Sequence, residues 1–171
     1  MITEPRREER AIQSPREMEL LLERMPVGRM AVNTTDGPYA VAVNYLFLEG
    51  NIYFHSAHEG RKIEALRADP RICFLVDDVG PLVLFEKGCG ISQIYESVVC
   101  FGKVEFVEDP IEKRRVLECM LRKFMTSERQ IPPIADKDIH RTALAKIVIE
   151  SMSGKAHRLS SSHTVLNGKT D

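Results

Sequence analysis

The chain has 171 residues, 24 Lys+Arg against 25 Asp+Glu, 43% hydrophobic residues and no Trp. That length suits one domain with its own core, and the net charge of −1 argues against nucleic acid or an anionic membrane surface as partner. No apolar run reaches the roughly 20 residues that span a bilayer, and Met1–Arg10 lacks the apolar segment of a signal peptide, so a cytoplasmic protein is expected.

Residues 1–13 read as a charged, mobile tail. Ser14-Pro15-Arg16-Glu17 is a capping box, and Met18, Leu21, Leu22 and Met25 follow on one helical face until Pro26 stops the helix. The period then changes to that of strands. Val27–Asn33, Tyr39–Leu48 and Ile52–Ser56 are three apolar runs joined by Asp36-Gly37-Pro38 and Glu49-Gly50-Asn51, the signature of an antiparallel meander. Gly60–Ala68 reads as a short helix, and Arg71–Val76 as a fourth strand. Residues 77–92, with three glycines, read as a long connection. Ile94–Val107 is a fifth strand that bends at Gly102. Asp109-Pro110-Ile111-Glu112 caps a second amphipathic helix, Asp136 opens a shorter one, and Ala145–Met152 is the sixth strand. Residues 159–171 read as a polar tail. The expected fold is α+β: a six-stranded, mostly antiparallel split β-barrel with peripheral helices, spanning 14–158 as one domain.

The four cysteines, Cys73, Cys89, Cys100 and Cys119, are dispersed and read as reduced thiols. Cys89, between two glycines, is the one placed to be exposed and reactive. His55 and His58 form an HxxH without acidic or Cys partners at metal-ligand spacing, so no metal site is assigned. Phosphate-loop, nucleophile-elbow and dinucleotide-binding patterns are absent from the sequence.

The segment most informative about chemistry is Tyr53-Phe54-His55-Ser56-Ala57-His58-Glu59-Gly60-Arg61-Lys62. Two adjacent cations open a helix there, where the macrodipole is already positive. A bound phosphate would compensate, because free helix N–H groups, Arg61, Lys62 and the Ser56 hydroxyl converge on one anion. The plainer reading is a solvated Arg-Lys pair neutralised by Glu59 and Glu64.

The same segment, with Leu66, Asp69-Pro70 and the following strand, resembles the flavin-phosphate region of the pyridoxamine 5′-phosphate oxidase-like split barrels. It is most similar to the nitroimidazole-reductase branch. Pro26-Val27-Gly28-Arg29, Tyr39–Tyr45, Tyr95-Glu96-Ser97-Val98, Gly102 and Gly154-Lys155 extend the resemblance over roughly 14–158. It implies a homodimer with FMN at the subunit interface. Carried over by position, Arg61 and Lys62 would bind the FMN phosphate beside Ser56 and His55. The backbone of Ala40, Val41, Ala42, Val43 and Asn44 would follow the flavin ring, and Ser97 would add a polar contact. The pyridoxamine-phosphate substrate segment, with its Trp and Arg, has no counterpart in this chain. The resemblance therefore implies an FMN-dependent reductase or oxidase of small flat acceptors such as nitroaromatics. The alternative is a non-enzymatic flavin- or haem-binding storage or sensor protein. His55 is the expected proton donor or substrate orienter, against a plainer role as a cofactor contact.

Overall fold

Local capping chemistry sets the two longest helices. In the computed structural model, which describes residues 7–85, 90–125, 133–159 and 163–165, the Ser14 hydroxyl accepts a hydrogen bond from the Glu17 N–H at 3.4 Å. Pro15 then opens helix α1 (Pro15–Arg24), which buries Met18, Leu21 and Leu22. Asp109 likewise accepts from the N–H groups of Ile111 and Glu112 and starts α3 (Pro110–Phe124). Between them in sequence, α2 (Arg61–Ala68) begins at Gly60, whose φ of 110° is open to glycine and strained for other residues. The short α4 spans Asp136–Arg141.

The strands are β1 (Ala11–Ile12), β2 (Val27–Thr34), β3 (Gly37–Asn44), β4 (Leu46–Leu48), β5 (Asn51–Ser56), β6 (Arg71–Phe85), β7 (Ile91–Phe106), β8 (Ala143–His157) and β9 (His163–Val165). They form one antiparallel sheet in the order β3-β2-β6-β7-β8-β5-β4, with β1 added to β8 and β9 to β6. Its two edges, β3 and β4, are successive pieces of the same segment, separated only by Tyr45. The sheet therefore curls until its edges meet at Tyr45, but β3 pairs with β2 and β4 with β5, so the hydrogen-bond ladder is not closed. This is the split barrel expected.

The strand count is nine rather than six for two physical reasons, and a third changes strand length. The expected Tyr39–Leu48 strand breaks where Tyr45 turns its ring into the core, fully buried, and donates from its hydroxyl to the Leu22 carbonyl at 2.7 Å. Strands of two and three residues, β1 and β9, are too short to show a period, and they lie in segments read as tails. The expected connection at 77–92 is instead a continuation of β6 and β7 as a long hairpin. Gly80-Pro81 does not end β6, because the register shift between Val79 and Leu82 absorbs the extra residue as a bulge. Cys89 lies outside the described residues; Cys73 and Cys119 are half-buried and Cys100 buried, all unbridged.

Inside the barrel, Met30, Phe54, Phe74, Val76, Val98, Cys100 and Ile147 pack with Tyr45, whose ring meets Phe74 edge-on at 5.2 Å. Gly28 permits this: a Cβ there would stand 2.1 Å from the Phe74 ring. A second cluster outside the barrel joins α3 to the sheet through Leu46, Tyr53, Val116, Leu117, Met120 and Leu144. Among the described residues, no helix is long and apolar enough to cross a membrane.

Candidate functional site

The barrel's split is where the sequence-derived residues gather. Beyond the last β4–β5 pairs, which include Leu46 with Tyr53, the strands β3 and β5 part. Asn44 stands two residues past that pair on one lip, and His55 two residues past it on the other. Alternation along β3 turns Val41 and Val43 toward the core and leaves Ala40, Ala42 and Asn44 exposed, so Val41 and Val43 have only main chain to offer a ligand. As an edge strand, β3 also has one row of N–H and C=O groups that no strand pairs among the described residues.

The other lip continues from His55 and Ser56 through Gly60 into α2. No side chain caps α2 among the described residues, so the Arg61 and Lys62 amides are available to an anion, while the Ile63 N–H donates to the Gly60 carbonyl at 2.9 Å. Arg61 reaches back across the split to the β2–β3 turn, with its guanidinium 4.8 Å from the Tyr39 ring centroid. It donates to the Thr34 hydroxyl at 3.4 Å and lies 3.6 Å from the Asp36 carboxylate. Lys62, the next residue, lies close enough to His55 for its charge to be felt there. Two cations, an uncapped helix start and a hydroxyl are a donor set that fits a phosphate dianion.

His55 borders an apolar groove of about 260 Å³ whose other walls are Leu117, Met120, Leu121, Phe124, Ile134 and Thr142. Its pKa lies below the ordinary histidine value, first because the ring is partly desolvated, though the residue stays exposed overall, and second because of the Lys62 charge. His58 does not join it; its Nε2 is 3.0 Å from the His140 carbonyl. Among the described residues no group of three His, Cys, Asp or Glu side chains gathers as metal ligands.

Ser97 is elsewhere. It lies on β7, three strands from β3 and roughly 14 Å away at the usual strand spacing. It pairs with Asp77 on one side and Lys155 on the other, and its hydroxyl donates to the Lys155 carbonyl at 3.3 Å. One chain thus assembles residues 40–44, 55, 56, 61 and 62, and leaves Ser97 on the outer sheet face. Sequence reasoning missed Thr34, Asp36 and Tyr39 around Arg61, because no local pattern ties a helix start to a hairpin 22–27 residues earlier. The groove on α3 was legible only as an amphipathic stripe.

With this geometry in view, the family described as pyridoxamine 5′-phosphate oxidase matches residues 14–156. A candidate 5-nitroimidazole antibiotic resistance protein from Bacteroides thetaiotaomicron is 27% identical, with 85% of each chain covered and a TM-score of 0.74. A FAD-binding protein from Mesorhizobium loti is 25% identical over 87% of this chain and 98% of its own, with a TM-score of 0.64. The flavocytochrome of Azotobacter vinelandii superposes at a TM-score of 0.81 over 96% of this chain and 75% of its own; at 20% identity that likeness shows the fold alone. No curated protein matches the chain.

Proposed function

The chain belongs to the pyridoxamine 5′-phosphate oxidase family, and on that premise we propose that it holds FMN in the split of its barrel and reduces small flat acceptors such as nitroaromatics. The observation that carries this reading is the start of α2, which no side chain caps and where Arg61 reaches the β2–β3 hairpin while Lys62 lies within electrostatic reach of His55. Bound FMN supplies the electron-transfer chemistry that side chains lack. The chain's own residues bind and orient. Arg61 and Lys62, through side chain and amide, and Ser56 hold the phosphate end. The exposed edge of β3 from Ala40 to Asn44 offers main-chain donors and acceptors to the ring, and its alanines leave room for a flat ligand.

His55 closes the acceptor side. The lowered pKa favours the neutral imidazole, which suits it to orient an acceptor by donating one N–H rather than to serve as an imidazolium acid. Turnover that stays level from pH 7 to pH 8 agrees with this role; a fall that follows histidine deprotonation in that range excludes it. Ser97 enters the site from a second subunit, because within one chain it is three strands away. The two-fold homodimer this requires draws support from the outer sheet face, where Ala40, Ala31, Cys73 and Phe101 form one cross-strand row and Ala42, Arg29, Leu75 and Val99 the next.

Purified protein is expected to show flavin absorption, or to acquire it on adding FMN. Each charge-assisted phosphate hydrogen bond removed costs about 1.5–3 kcal/mol. Changing both Arg61 and Lys62 to Ala should therefore weaken FMN binding by well over tenfold. An unchanged affinity in the double variant would sink the phosphate assignment, and a Soret band in place of flavin bands would replace this reading with a haem protein.

A further inference from the structure

Arg61 belongs to α2, yet among the described residues its polar and ring contacts go to the β2–β3 hairpin: the Tyr39 ring, the Thr34 hydroxyl and the Asp36 carboxylate. These contacts have opposite consequences for an incoming anion. Stacking on Tyr39 fixes the plane of the guanidinium and leaves its full charge and its N–H edges available. The carboxylate of Asp36 instead cancels charge. An open cavity of about 570 Å³ beside Arg61 is lined by Asp36, Glu64 and Asp69 as well; Asp69 is held by Arg71 at 2.7 Å, which leaves Asp36 as the carboxylate paired with Arg61. A phosphate approaching Arg61 therefore competes with an anion already in place. The Asp36 side chain is 79% exposed, which makes it a weak and displaceable partner.

We infer that Asp36 is a built-in competitor for Arg61, and that the Asp36–Arg61–Tyr39 clasp sets how strongly the protein prefers a phosphorylated flavin to its unphosphorylated parent. The inference rests on the reading above, in which Arg61 meets the FMN phosphate. Tyr39 presents the cation, Asp36 restrains it, and the balance between them fixes how much of the Arg61 charge the phosphate gains. Since the clasp joins α2 to β3, the swap from carboxylate to phosphate takes place across the split itself.

The test compares FMN with riboflavin, which differ only in the phosphate, by titration into the parent, Asp36→Asn and Arg61→Ala. Asn is well tolerated at Asp36, in the exposed two-residue turn before Gly37, so the variant should fold. Releasing an exposed ion pair of this kind should tighten FMN binding about two- to fivefold and leave riboflavin binding unchanged. Equal tightening of both ligands overturns the inference, as does an unchanged or weakened FMN affinity. Arg61→Ala reports on the underlying reading separately. If it lowers the preference for FMN about tenfold while Asp36→Asn has no effect, the phosphate site stands and the competitor role falls. If Arg61→Ala leaves the preference intact, the phosphate reading fails and takes the inference with it.

Discussion

At the scale of single residues, Lys123 carries a cost that its neighbours only partly offset. Its Nζ donates to the Met25 carbonyl at 2.8 Å, at the end of α1, and lies 4.2 Å from the Tyr45 ring centroid. One amine thus ties the last turn of α3 to the last turn of α1, over the tyrosine at which the barrel's two edges meet. Burial lowers its pKa from 10.5 to about 8, so the folded state disfavours the charged form. Below pH 8 the full penalty is present. Between pH 8 and 10.5 the unfolded chain binds the extra proton, so stability contributed at this site rises with pH. Lys123→Met removes the titration and serves as the reference in which other groups cancel. The melting temperature of the parent minus that of the variant should grow between pH 8 and pH 10. A difference that stays flat over that range means the amine is not depressed.

At the scale of elements, α3 matters because it forms a wall of the groove beside His55 through Leu117, Met120, Leu121 and Phe124. Its N-cap, Asp109, accepts from two backbone N–H groups, so Asp109→Ala should cost about 0.5–2 kcal/mol by loss of the cap. Denaturant unfolding would measure it, and a change below a few tenths of a kcal/mol would show that packing alone holds the helix. That cap was legible in the sequence, as was Ser14, because a capping box is a local pattern with a local cause. The strands were less so. Asp77, Asp78, Gly80 and Pro81 look like the start of a loop, yet β6 runs through them because β7 supplies a partner at Ser97, Glu96 and Tyr95. Tertiary pairing overrode local propensity there. The Arg61–Lys62 pair was legible as an electrostatic anomaly at a helix start. Its hairpin partners were not, since Tyr39 and Asp36 meet Arg61 only once α2 folds back over the split.

At the scale of the whole molecule, the outer sheet face and the β6–β7 arm leave more apolar surface than a lone barrel needs. Phe101 is 41% exposed on that face, and on the arm Val79 and Ile91 are 59% and 65% exposed. The five strands from β3 to β8 make a face about 20 Å wide at 4.8 Å spacing, and the 16 residues of β7 extend it to roughly 50 Å. A stable interface takes about 800 Å² from each partner, which such a face supplies. In the proposed dimer the face has a second duty, because it carries Ser97 and would deliver it to the neighbouring split. Assembly and cofactor binding are then one event. The protein at micromolar concentration should sediment as a dimer, and Phe101→Lys should release monomers by placing an unpaired charge in the apolar row. The monomeric variant should also bind FMN more weakly, although Phe101 lies on β7 and Arg61 and Lys62 on α2. A parent protein that sediments as a monomer with FMN saturating ends the dimer reading. A Phe101→Lys monomer that binds FMN as tightly as the parent dimer shows instead that one chain completes the site, and Ser97 then has no part in it.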